Sequence, residues 1–75
     1  MKKLTDIQFR CLKLLAQGFT YKQIADKENT SLDNVKRRFA LLYRKLNARN
    51  CVDALRIALL RGFISLKDLK DEDNL

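Results

Sequence analysis

Between Ser31 and Leu46 the apolar residues recur with the period of an α-helix. Val35, Phe39, Leu42 and Leu46 form one continuous apolar stripe. Lys36, Arg37, Ala40 and Arg44 fall on the opposite side, which carries three cations, no acid after Asp33 and one small residue at its middle. A helix of this kind must bury its stripe and leave a cationic front. The small side chain lets that front approach a groove closely while its neighbours reach base edges and phosphates. Ser31 is placed to cap the start of the helix, and Asn47 can take the left-handed turn that ends it. A merely solvated basic face would show the same charges, so the rest of the chain has to decide.

Helix signals continue along the whole chain. Thr5-x-x-Gln8 is a capping-box pattern that opens a first helix, with Leu4, Ile7, Cys11, Leu12, Leu14 and Leu15 as a broad apolar face. Gly18 stops it. Thr20-x-x-Gln23 is a second capping box and opens a short helix through Ile24, Ala25 and Lys27. Asn29 can adopt positive φ and turn the chain into the helix at Ser31. Asn50, with Asp53 three residues on, opens a fourth helix over Val52, Leu55, Ala58 and Leu59 to Gly62, and Phe63 and Ile64 are expected to fold back onto the core. Proline is absent, glycine occurs only at 18 and 62, and no strand-like alternation is present. The expected fold is all-α, with four short helices and tight connections. Residues 1–66 make one domain, and 67–75 form an acidic tail that is frayed or at most one loose turn.

Seventy-five residues carry a net charge of +7. The last nine hold Lys67 and Lys70 against Asp68, Asp71, Glu72 and Asp73, so residues 1–66 carry fourteen basic and five acidic side chains, a net of +9. A compact domain so basic meets a polyanion. A chain this short buries only about 60–65% of its unfolded surface, which makes dimerisation a natural source of stability. With no histidine and no close cysteine pair, no metal site is expected. Cys11 and Cys51 are expected to be reduced and at least half-buried, as in a cytoplasmic protein. No run is long enough to span a membrane, and no signal-peptide core follows Met1.

The helix beginning near Tyr21 and the one beginning near Leu32 are only a few residues apart, with Ala25 and Val35 as buried-type residues. That is the grammar of helix-turn-helix, in which the first helix crosses the DNA backbone and the second enters the major groove. The order Leu4-Thr5, Cys11-Leu12-x-Leu14-Leu15-Ala16-x-Gly18, Lys22-x-Ile24-Ala25 and Ser31-x-x-x-Val35-Lys36 resembles the LuxR-type (GerE-like) DNA-binding domain of bacterial transcription regulators. The run Lys45-Leu46-Asn47-Ala48-Arg49-Asn50-x-x-Asp53-Ala54 is similar to that family too, and the likeness covers about residues 4–64. Domain 4 of bacterial sigma factors shares the early pairs but does not usually continue into such a connection and a fourth helix.

The resemblance implies a four-helix domain whose third helix reads the major groove and whose fourth helps form a two-fold dimer. It implies that Lys36, Arg37 and Ala40 face bases, and that Lys22, Ser31, Asn34, Lys45 and Arg49 touch phosphates; the cationic front of the helix adds Arg44 as a further expected phosphate contact. Val52, Leu55 and Leu59 would carry the dimer contact. The sequence departs from the family at Glu28 and Thr30, where apolar residues are usual, and at Gln8, where a glutamate is usual. Arg38 replaces a common histidine, Asn34 a threonine and Asn47 a glycine. Glu28 would be costly if buried alone, so it is expected to face solvent or to pair with Arg38 or Lys27.

The function these features imply is sequence-specific binding of double-stranded DNA by a cytoplasmic homodimer that regulates transcription. No cofactor is expected. No receiver or sensor domain is expected within these 75 residues, so control is expected from the protein's abundance or from a partner such as RNA polymerase or a larger regulator. The alternative is a small interaction module that pairs through the fourth helix with a larger regulator. Enzyme chemistry is not expected: histidine is absent, and neither paired carboxylates nor a glycine-rich phosphate loop is present.

Overall fold

A computed structural model describes residues 4–69. Four α-helices follow in order, α1 (Asp6–Ala16), α2 (Tyr21–Lys27), α3 (Leu32–Leu46) and α4 (Cys51–Leu60), and a 3-10 turn spans Leu66–Leu69. The described residues contain no strand.

Each helix starts on the residue the sequence marks for it. Thr5 and Thr20 both form complete capping boxes, each hydroxyl accepting from the backbone N–H of the glutamine three residues on and each glutamine side chain reaching back. Ser31 Oγ accepts from Asn34 N at 3.1 Å, and Asn50 Oδ1 accepts from Asp53 N at 2.9 Å. The helix ends are equally uniform. Gly18, Asn29, Asn47 and Gly62 all take positive φ. The N–H following each of them closes back five residues, as in Thr30 N to Ala25 O at 2.9 Å and Ala48 N to Tyr43 O at 2.8 Å, and the N–H of the turn residue itself closes back three, as in Asn29 N to Asp26 O at 3.2 Å. This double closure satisfies carbonyls that a bare helix end would leave orphaned.

The core lies where all four helices meet. Leu12, Ile24, Val35, Phe39, Leu42, Leu46, Ala54 and Ala58 are fully buried, with Leu4, Cys11, Ala25 and Ile64 beside them. The whole α3 stripe is therefore inside. Alanines at 54 and 58 let α4 come close to α3. Phe63 packs edge-on against Phe9, ring centres 6.0 Å apart, and brings Ile64 under the core.

Two expectations change. Ile7 is exposed and Leu14 and Leu15 are only half-buried, so the packed face of α1 is narrower than its sequence suggests. Cys51 is exposed, because it is the first residue of α4 and lies beyond Ala54, the first apolar side chain of that helix to reach the core. Cys11 is buried, and burial pushes its thiol pKa up. Of the expected tail, residues 67–69 complete a single turn that begins at Leu66 and lies against α1, held by Ser65 N donating to Asp68 Oδ2 at 2.8 Å. Residues 70–75 lie outside the described residues.

Candidate nucleic-acid interface

Burial of the α3 stripe leaves the opposite arc of that helix in solvent. Lys36, Arg37, Ala40, Leu41 and Arg44 are all exposed. At about 100° per residue, Arg37, Ala40, Leu41 and Arg44 share an arc of roughly 100° directly opposite Val35 and Leu46. Asp33, in the first turn, is the one acid of α3. Its position at the helix N-terminus suits a carboxylate electrostatically. The front beyond it is cationic, with a small apolar centre.

Three ties to α1 and α2 hold this front in place. Tyr21 of α2 stacks on Phe39, ring centres 4.7 Å apart, and shares a hydroxyl hydrogen bond with Tyr43. Burial, then that hydrogen bond, pushes the Tyr43 phenol upward, so it remains a neutral donor or acceptor. Lys45 Nζ donates to Gln8 Oε1 of α1 at 2.9 Å. Here the amide at position 8 does the work of a carboxylate: it accepts from the lysine and closes the capping box of α1 as well.

The third tie is an ion cluster under the turn. The Glu28 side chain is only 11% exposed. Its Oε1 accepts from Arg10 Nη2 of α1 at 3.1 Å and from Arg38 Nη1 of α3 at 3.5 Å. The expected pair with Arg38 is thus present. The expected alternatives, solvent or Lys27, are not what Glu28 uses. Lys27 instead sits over the Phe19 ring at 4.4 Å. Arg10 was not foreseen as a partner. It lies 18 residues away, and no local pattern couples the two. The Glu28 hydrogen bond raises the Arg10 guanidinium pKa further, which keeps it charged. Thr30 also finds a partner, since its hydroxyl accepts from Asn34 Nδ2 at 2.8 Å. The two departures at the turn are therefore both satisfied by polar contacts, and the turn keeps regular geometry.

The expected phosphate contacts differ in how free they are. Lys22 and Arg44 are exposed. Ser31 Oγ is engaged as a cap and Asn34 Nδ2 with Thr30. Arg49 is held by Asp53, its backbone N–H donating to Oδ2 at 3.0 Å and its Nε to the same oxygen at 3.4 Å. Asp53 is one of the most buried polar side chains, and its other oxygen takes Arg56 Nη2 at 2.8 Å and Nε at 3.0 Å. The Arg49 N–H, then the Arg56 guanidinium, holds its carboxyl below the usual range.

On α4, Val52 is 72% exposed and Leu60 74%, while Leu55 and Leu59 are half-buried. These four residues flank Arg56 and make an apolar strip on the outer face of the helix. All four are apolar in the sequence at positions that a single helical face can share. Sequence reasoning missed Leu41 on α3, although its spacing four residues after Arg37 places it on the front.

Among the described residues no helix is long and apolar enough to cross a membrane, and no group of three histidine, cysteine or acidic side chains could hold a metal ion. Residues 2–58, well over half of the chain, match the family model for bacterial regulatory proteins of the LuxR family, GerE. No curated protein and no solved structure matches the chain.

Proposed function

This chain belongs to the LuxR family of bacterial regulatory proteins, as a DNA-binding helix-turn-helix regulator of transcription, and from that premise we propose that it acts as a cytoplasmic homodimer reading the major groove with α3. One observation carries the reading: α3 buries its entire apolar stripe and presents Lys36, Arg37, Ala40 and Arg44 on the exposed opposite side. Lys36 and Arg37 reach base edges, Arg37 with the fork geometry that suits guanine. Ala40 keeps the centre of the front low. Arg44, Lys22 and Arg49 supply phosphate contacts from three directions. Ser31, Asn34 and Lys45 add contacts from the rim while holding the turn and α1. Residues 1–66 act as the DNA-binding domain and the acidic residues from 67 onward as an appendage.

Two copies meet through Val52, Leu55 and Leu59 of α4, which places two recognition helices on successive turns of one face of the duplex. A strict monomer across high micromolar concentrations in sedimentation would remove this part. RNA polymerase or a larger regulator is the partner that converts DNA binding into control.

Selection of sites from a random duplex library at physiological salt tests the whole reading. A two-fold-related enriched sequence is expected, and the distance between its halves gives the dimer spacing. Retention without enrichment would leave only a sequence-independent phosphate term. A second reading rests on the exposure of Val52 and Leu60: a small module that pairs through α4 with a larger regulator. Absence of any retention on DNA would favour it.

A further inference from the structure

Leu41 is 49% exposed, within the cationic front of α3. A single exposed leucine on an ordinary surface needs no explanation. This one sits one turn after Arg37, one turn before Arg44 and beside Ala40, so it forms an apolar centre framed by guanidinium groups. The other large exposed apolar side chains among the described residues lie on α1, α4, the 3-10 turn or the first residue of α3, away from this centre.

Arg37 and Arg44 fix what can cover Leu41. A protein partner's apolar surface would have to desolvate both guanidinium groups, whereas a duplex groove meets them with base acceptors and phosphates. The major groove offers one apolar group, the 5-methyl of thymine. We propose that Leu41, with Ala40 beside it, is a specificity-determining residue that reads a thymine methyl next to the base pair read by Arg37. This rests on the assignment of α3 as the reading helix. It deepens that assignment by naming the preferred chemistry: a half-site that combines a guanine with a neighbouring thymine.

The test uses the full chain and the duplex that it enriches from a random library. Each thymine of one half-site is replaced in turn by deoxyuridine, which removes the methyl and keeps every base-pairing group. One position next to the guanine should lose about fourfold in affinity, the size expected for one buried methyl. In Leu41→Ala the same replacement should change nothing, while binding to the thymine duplex falls by a comparable factor. Leu41 is half exposed, so this variant should keep the wild-type helical circular dichroism. Leu41→Met, which retains an apolar tip, should keep the methyl sensitivity.

Equal wild-type affinity for the thymine and deoxyuridine duplexes at every position would overturn the inference. So would methyl sensitivity that survives in Leu41→Ala. Both results would leave α3 as a sequence reader. A library that yields no enriched sequence would instead remove the parent assignment, and this inference with it.

Discussion

Glu28 and Asp53 are both carboxylates gripped by two arginines, yet they do different jobs. Asp53 works locally. Arg49 and Arg56 are four and three residues away, and the carboxylate also accepts the backbone N–H of Arg49. Glu28 works at long range, joining α1 and α3 at the end of α2 through side chains alone. The difference sets what can replace each acid. A backbone N–H needs an acceptor and cannot move away. Two guanidinium groups, one of them on a half-exposed arginine, can turn to water if the acid goes. Asp53 is therefore a fixed part of the α4 start, whereas Glu28 is one of several solutions for pinning the recognition helix.

Asp53→Leu should show the largest effect of any change at these two sites. It orphans the Arg49 N–H and leaves two arginines facing an apolar side chain, so the thermal midpoint should fall furthest and α4 should exchange its first amide protons fastest. A midpoint near wild type would mean that the Asp53 cluster is decorative.

Glu28→Ala comes next. It leaves a cavity and an unpaired Arg38 under the turn, with a loss of about 2 kcal/mol, or roughly 10 °C in melting temperature for a domain of this size. Glu28→Leu should recover at least half of that loss, since a well-filled apolar site often replaces an ion cluster without penalty. Equal melting of the alanine and leucine variants would erase the distinction drawn between the two acids.

The pH response should follow Asp53. Its folded pKa lies below the unfolded value, so the stability it contributes is complete above the unfolded carboxylate pKa, near about 4, and is lost as pH falls through the folded value. Acid titration of stability should therefore show a decline below about pH 4 that is shallower in Asp53→Asn. Identical acid limbs would assign the decline to other carboxylates, such as Asp68, whose pKa is also lowered, chiefly by the Ser65 N–H.

The same contrast explains what could be read without a structure. All four N-caps and all four left-handed C-terminal turns follow from residue types at fixed local offsets, and Thr5, Thr20, Ser31, Asn50, Gly18, Asn29, Asn47 and Gly62 each take the expected role. The buried stripe of α3 follows from its 3.6-residue period. The ties that orient α3 do not. Arg10 with Glu28, Gln8 with Lys45 and Tyr21 with Tyr43 span 18, 37 and 22 residues, and nothing in the local pattern pairs them. Cys51 shows a different limit: an apolar residue type near a helix start gives no signal of whether the core extends that far. Leu41 was legible in principle, since its wheel position excludes it from the stripe.

The most direct test of the central claim, that the front of α3 reads sequence, compares the enriched sites of the wild-type chain and Arg37→Ala. The account predicts that one base preference in each half-site relaxes, with about 1–3 kcal/mol of discrimination lost there and the other positions retained. An unchanged sequence preference with uniformly weaker binding would contradict it and make Arg37 a phosphate contact.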